Sequence, residues 1–195
     1  MDLQDKIKLE KGMIEGLGGR MVLVHASVLH DLTMRMQQSF GDIVWEVFYD
    51  YSKRSAVQHA KVFFSSDYAV KYLTENNLTA HQVFEEVVKL LEFYGHGTVK
   101  IADNNLPDSE ATVVLENSAV ASFIKEKRHL SSKPTCFYTA GFLAGFAAVL
   151  YGKDFDCKEE KCLASHNNEC VFKIFPASEQ FQRMFMKEKG ISISR

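Results

Sequence analysis

From Pro134 to Gly152 the chain reads PTCFYTAGFLAGFAAVLYG, nineteen residues without a charge. No other part of the sequence constrains the fold as strongly. A membrane-spanning helix needs about twenty apolar residues. Gly141 and Gly145 even repeat the small-xxx-small spacing of packed membrane helices. Yet the stretch contains Pro, Thr, Cys, two Tyr and three Gly, and nothing else in the chain is a comparable candidate. We read it as a helix buried in a core. A helix that is apolar all round has to be covered all round. Its glycines let a neighbouring element approach the backbone closely.

The rest of the chain divides by period. Residues 1–19 read as a short amphipathic helix carrying Leu3, Ile7, Met13 and Ile14, ended by the breaker cluster Gly16, Gly18 and Gly19. RMVLV is a short extended piece. Ala26 to Phe40 reads as a helix with Ser27 as its cap and Leu29, Leu32, Met36 and Phe40 on one stripe. Asp42 then caps a longer helix running to about Phe64, with Val44, Val47, Phe48 and Tyr51 inward. A shorter helix follows in SSDYAVKYLTENN. Thr79 starts another, whose apolar face is Val83, Val87, Leu90, Leu91 and Tyr94.

The period then changes to two. TVKIAD and EATVVLEN, separated by the turn signal NNLPDS, predict a hairpin. Ser118 begins a short helix, and the apolar helix comes next. KDFDCKEEK and ECVFKIFP predict two further strands. SEQFQRMFMKE predicts a last short helix. Helices and antiparallel strands in this order predict an α+β fold, a helical layer on a small antiparallel sheet of two hairpins. The division is an N-terminal helical extension at 1–19, a main domain at 20–176, and a C-terminal helix and tail at 177–195.

Charge narrows the function. The formal net charge is −2 and the pI about 6.4, so no domain-scale basic surface predicts nucleic-acid binding. No helix-turn-helix stands out. No GxGxxG, GxSxG, P-loop or HExxH motif occurs, and no nucleophile-and-base pairing emerges. The expectation is therefore no catalytic residue. The opening MDLQDKIKLEKG lacks the apolar run of a secretory signal, which predicts a cytoplasmic location. Fifteen Phe and seven Tyr are many for a chain of 195 residues. Aromatics build cores and also line apolar pockets. Trp45 and Phe48 share one helix, and Phe142 and Phe146 are four apart on another. These four are either plain core or the wall of an apolar pocket. Among the histidines only His96, between two glycines, stands in a position that invites a role.

Three of the four cysteines fall in CKEEKCLASHNNEC, from Cys157 to Cys170. In a cytoplasmic chain they point to metal or thiol chemistry rather than to structural disulfides. Zinc takes four ligands, with thiolate sulfur preferred and carboxylate oxygen acceptable. Glu159, Cys162 and Cys170 supply three donors. Cys157, His166 and the distant Cys136 compete to be the fourth. Metal site, redox thiols and inert cysteines all remain open on spacing alone. Period-two alternation would put Glu159 and Cys162 on opposite faces of a strand, so a turn or bulge must intervene before Cys162.

The C-terminal half resembles the 4-vinyl reductase (4VR) domain family of predicted hydrocarbon-binding proteins. The pattern is an upstream Cys, an A-G-F-x-x-G helix, then E-x-x-C-x7-C-x-F. Here it reads Cys136, AGFLAGFAAVLYG, Glu159, Cys162, Cys170 and Phe172. GHGTVKI, VVLENS and MVLV extend the resemblance to about residues 20–176. It implies zinc held by Cys136, Glu159, Cys162 and Cys170, with Cys157 left over. Lys158, Lys161 and His166 would offset the cluster's charge. It also implies the fold of NO-signalling and Golgi-transport ligand-binding proteins, a family of folds that includes sensory domains of aromatic-responsive activators and vesicle-tethering (TRAPP) subunits. The implied function is binding of a small hydrophobic or aromatic ligand by a sensory or regulatory homodimer, paired through its N-terminal helices. Two alternatives stand beside it: a redox sensor pairing Cys157 with Cys162 or Cys170, and an accessory protein of tetrapyrrole or hydrocarbon metabolism.

Overall fold

The computed structural model describes residues 8–10, 13–16, 19–127, 131 and 133–177. Strands β1 (Lys8–Glu10), β2 (Met13–Gly16) and β3 (Gly19–Met21) form a small antiparallel sheet. This corrects the helix expected within residues 1–19. Glycines at 12, 16, 18 and 19 oppose a helix here. The two-residue separations, Lys11-Gly12 and Leu17-Gly18, carry the glycine that tight hairpins favour. Residues 1–7 and the helix expected after residue 177 lie outside the described residues.

Six helices and four strands follow: α1 (Ala26–Phe40), α2 (Ile43–Phe64), α3 (Asp67–Glu75), α4 (Ala80–Phe93), β4 (Thr98–Asn104), β5 (Ala111–Glu116), α5 (Ala119–Glu126), α6 (Phe137–Tyr151), β6 (Phe155–Lys161) and β7 (Cys170–Pro176). The expected α+β architecture is what forms. The caps explain the starts. Thr79 and Gln82 make a reciprocal capping box at α4, and Ser118 caps α5. At α1 the cap is the ring of His25, which accepts from the Ser27 amide, and not Ser27 itself.

The two predicted hairpins, β4–β5 and β6–β7, join through β5 and β7 into one antiparallel sheet of order β4-β5-β7-β6. Ala111, Val113 and Leu115 alternate inward along β5 and are fully buried. They meet Phe172 and Ile174 of β7, and Phe84, Val88 and Leu91 of α4. Leu143, Ala144 and Ala147 of α6 complete the same core.

Helix α6 is buried along most of its length, as its composition requires. Its glycines face α2. A Cβ on Gly141 would lie 2.5 Å from the Tyr49 carbonyl oxygen, and one on Gly145 would lie 2.7 Å from the Ala56 Cβ. The Ser52 hydroxyl donates to the Tyr138 carbonyl across the same seam, at 2.6 Å. No helix among the described residues is long and apolar enough to cross a membrane.

The apolar stripes of α1 and α2 do not turn inward. Leu32 is 50% exposed and Phe40 67%, and Leu29, Val47 and Tyr51 are also open. His30 and Val44 are buried instead. Periodicity identifies an apolar face but not what covers it.

Candidate metal centre and an adjoining cavity

Four side chains from three places in the sequence meet at one end of α6. Cys136 immediately precedes the helix. Glu159 lies on β6, Cys162 just beyond its end, and Cys170 opens β7. The pairing of β6 with β7 shifts register between Glu159 and Lys161. That bulge absorbs one residue, which resolves the facing problem raised by simple alternation. The four donor atoms all lie within 4.8 Å of one another. Sulfurs about 2.3 Å from a tetrahedral zinc stand about 3.8 Å apart. The Cys136 and Cys170 sulfurs are 3.7 Å apart. His166, exposed in a left-handed turn, and Cys157 are not in this group.

The surroundings orient the donors. The Cys136 amide donates to Glu159 Oε2 at 2.8 Å, and the Leu163 amide to the Cys170 sulfur at 3.4 Å. Thr135 Oγ1 lies 3.4 Å from the Cys162 sulfur, and Ser118 Oγ 3.5 Å from that of Cys136. Glu159 Oε1 is buried without a hydrogen-bond partner. An orphaned buried carboxylate oxygen is costly unless something satisfies it. A metal ion would do so, and the donor set, three sulfurs and one oxygen, suits a soft divalent ion.

Electrostatics lead to the same conclusion. Burial, reinforced by Cys162, raises the Glu159 carboxyl to about 8. Hydrogen bonds from Cys136 and Cys170 pull the Cys162 thiol far down, while Cys136 is pushed well above its ordinary value by hydrogen bonds with Cys162 and Cys170 and by burial. Without a cation the cluster therefore concentrates its negative charge on one sulfur. A bound dication would allow all four donors to ionise. Four protein donors leave such a centre no open position for water, so its role is structural. It would tie the start of α6 to the β6–β7 ribbon.

The four aromatic residues read as a pocket wall do not converge. Phe142 and Phe146 tilt against each other at 4.7 Å, and Phe146 packs with Ala56, Ala60, Val83 and Val87. Phe48 is half-buried on α2. Trp45 stacks on Phe137 at 5.1 Å and lines a cavity of about 120 Å³ with residues of α1, α5 and the segment before α6. Sequence reasoning missed His30, Gln37, Ser131 and Thr135 in that cavity. A polar residue within an amphipathic helix, as His30 is, was the available signal. A second, open groove runs between α4 and β4, lined by Glu85, Lys89 and residues 99 and 101–104.

His96, the histidine singled out by its glycine neighbours, is half-buried and stacks parallel on Tyr138 at 6.0 Å. Burial lowers its pKa. Gly97 beside it has φ +140°, and a Cβ there would run into the Glu116–Asn117 backbone. The pair therefore belongs to the junction with β5.

Residues 115–176 match the model of the 4-vinyl reductase (4VR) domain, the family the cysteine pattern resembles. No curated protein matches the chain. Among solved structures, the phenol-responsive sensory domain of the transcription activator PoxR, crystallised with phenol, superposes with a TM-score of 0.79 at 16% identity, over 98% of this chain and 94% of that one. A trafficking protein particle complex subunit 3 from Naegleria fowleri, covalently bound to palmitic acid, gives 0.52 at 12% identity, over 78% and 93%. A vinyl-4-reductase family protein from Methanocaldococcus jannaschii gives 0.41 at 15% identity, over 64% and 92%. At these identities the first two establish a shared fold.

Proposed function

We propose that this 4VR-domain chain is a zinc-bearing, small-molecule-binding protein that acts as a cytoplasmic sensor or regulator. The observation that carries the reading is the near end-to-end coincidence of its fold with a phenol-responsive sensory domain. The four-donor cluster, with its orphaned Glu159 oxygen, supports zinc as the resident ion. The ion would be held by Cys136, Glu159, Cys162 and Cys170 and would supply rigidity. The chain's own residues would recognise the ligand, with Trp45 among them and Phe48, Phe142 and Phe146 as further aromatic candidates.

We further propose that two copies pair through α1 and α2. The exposed Val28, Leu29, Leu32 and Phe40 of α1, with Ile43, Val47 and Tyr51 of α2, support this. Apolar patches of this kind mark interaction surfaces. The thiol-switch alternative is less well served. Cys157 lies outside the donor group, and burial pushes its thiol well above the ordinary range, which suppresses the reactive thiolate. An accessory role in tetrapyrrole or hydrocarbon metabolism would show as a retained coloured or conjugated compound.

Native mass spectrometry of protein purified under reductant, with elemental analysis, tests the reading. One zinc per chain, a dimer mass and stabilisation by small aromatic compounds are expected. Reduced protein free of any transition metal and indifferent to every such compound would overturn it.

A further inference from the structure

The cavity beside Trp45 has a composition of its own. At about 120 Å³ it is close to the size of an apolar cavity that accepts benzene, about 150 Å³. One side is apolar, built from Met34, Trp45, Val120 and Ile124. The indole is held in place by its stack on Phe137. The other side presents His30, Gln37, Ser131 and Thr135. His30 is only 7% exposed and packs against Phe123 at 5.5 Å.

The rim is charged but internally balanced. Gln37 Nε2 donates to Asp42 at 3.1 Å, and Lys133 Nζ donates to the other Asp42 oxygen at 2.5 Å. The Lys133 amide donates to the Ser131 hydroxyl at 3.1 Å. This strap joins α1, the turn after it and the segment before α6. Asp42 and Lys133 neutralise each other at the surface, which leaves the cavity no net charge with which to meet an ion.

Thr135 belongs to both sites. It lines the cavity, its hydroxyl sits 3.4 Å from the Cys162 sulfur, and the next residue is the donor Cys136. Hydrogen bonds to donor sulfurs orient and tune a metal centre.

We propose that this cavity binds a neutral, single-ring aromatic molecule carrying one hydrogen-bonding group, and that Thr135 transmits its occupancy to the metal centre. The inference rests on the zinc-bearing, ligand-binding reading above and assigns that reading a place and a ligand class. Trp45 and Val120 meet the ring, the buried polar side meets the hydroxyl, and contact with Thr135 alters its bond to Cys162. No covalent step is involved. Thr135 is a positioning residue for the metal donors.

Zinc-loaded full-length protein, titrated calorimetrically with phenol, benzene and benzoate, tests the ligand class. Phenol should bind about tenfold more tightly than benzene, a difference of about 1.4 kcal/mol, and benzoate should not bind. Val120→Phe and, independently, Met34→Phe fill the cavity. Each should weaken phenol by at least about tenfold while zinc content and circular dichroism stay unchanged. Saturating phenol should slow zinc loss to a chelator. Thr135→Val should lose that protection, and Thr135→Ser should keep it.

Phenol binding that ignores both filling variants places the ligand elsewhere and overturns the inference, while the zinc-bearing, ligand-binding reading survives. Equal affinity for benzene overturns the ligand class. Phenol bound in the cavity with no change in zinc loss overturns the relay. Absence of zinc together with absence of any aromatic binding fails the broader reading instead.

Discussion

Replacing Gly145 by Ala tests the seam on which the arrangement depends. The added Cβ would lie 2.7 Å from the Ala56 Cβ and would also meet the Lys53 carbonyl. Neither is the end of a flexible side chain, so α2 and α6 must separate. Carbon atoms in good contact stand about 3.5–4.0 Å apart, which requires a shift of about 1 Å. Such a gap forfeits a quarter to a half of each contact along the seam. Overpacking of this kind costs about 1–3 kcal/mol. Removing a glycine from a helix interior returns about 1 kcal/mol. The net expectation is a loss of about 1–2 kcal/mol, or about 2–8 °C in Tm for a chain of this length. Urea titration with a zinc-loaded sample measures it. Gly141→Ala should behave alike. The double variant should cost less than the sum, because one separation of the helices relieves both clashes. A Gly145→Ala protein as stable as the parent, or strictly additive costs, would refute the crossing described here.

Cys170→Ala should abolish stoichiometric zinc while Cys157→Ala retains it, by elemental analysis. With free zinc about a thousandfold above its Kd, chelation should cost the parent about 4 kcal/mol. Tyr49 accepts from the Cys157 amide at 2.9 Å and donates to Asp156 at 3.1 Å, so Tyr49→Phe should cost about 1–3 kcal/mol and raise amide exchange at the start of β6. Burial holds the His96 pKa below its ordinary 6.5. The folded state therefore resists protonation. Stability should be complete above about 6.5 and fall as the pH drops through the lowered value, and His96→Phe should flatten that decline in acid titrations followed by circular dichroism. Leu32→Glu and Phe40→Glu should turn a dimer into a folded monomer in sedimentation experiments.

The long uncharged run forces a buried helix, because nineteen residues without charge have no water-facing side. Strand alternation in β5 and the Ser and Thr caps of α4 and α5 are equally legible, since each is a local matter of side-chain chemistry. The four metal donors can be singled out only through resemblance to a family, because spacing alone leaves Cys136, Cys157 and His166 as equals. The choice among them belongs to three dimensions: a bulge after Glu159 aims Cys162 inward, and the segment leading into α6 carries Cys136 to the same place. The N-terminal residues mislead because a few apolar side chains fit a helix as well as short strands, and only pairing with a neighbour breaks the tie.

The cavity is not legible in the same way. His30, Trp45, Ile124 and Thr135 are scattered over more than a hundred positions, and no local rule links them. Which residues are apolar, where helices start and which donors exist are set by composition and order along the chain. Which faces are covered, which donors meet and where space is left between helices are set by packing. Those are properties of distances between remote segments, which the chain acquires only on folding.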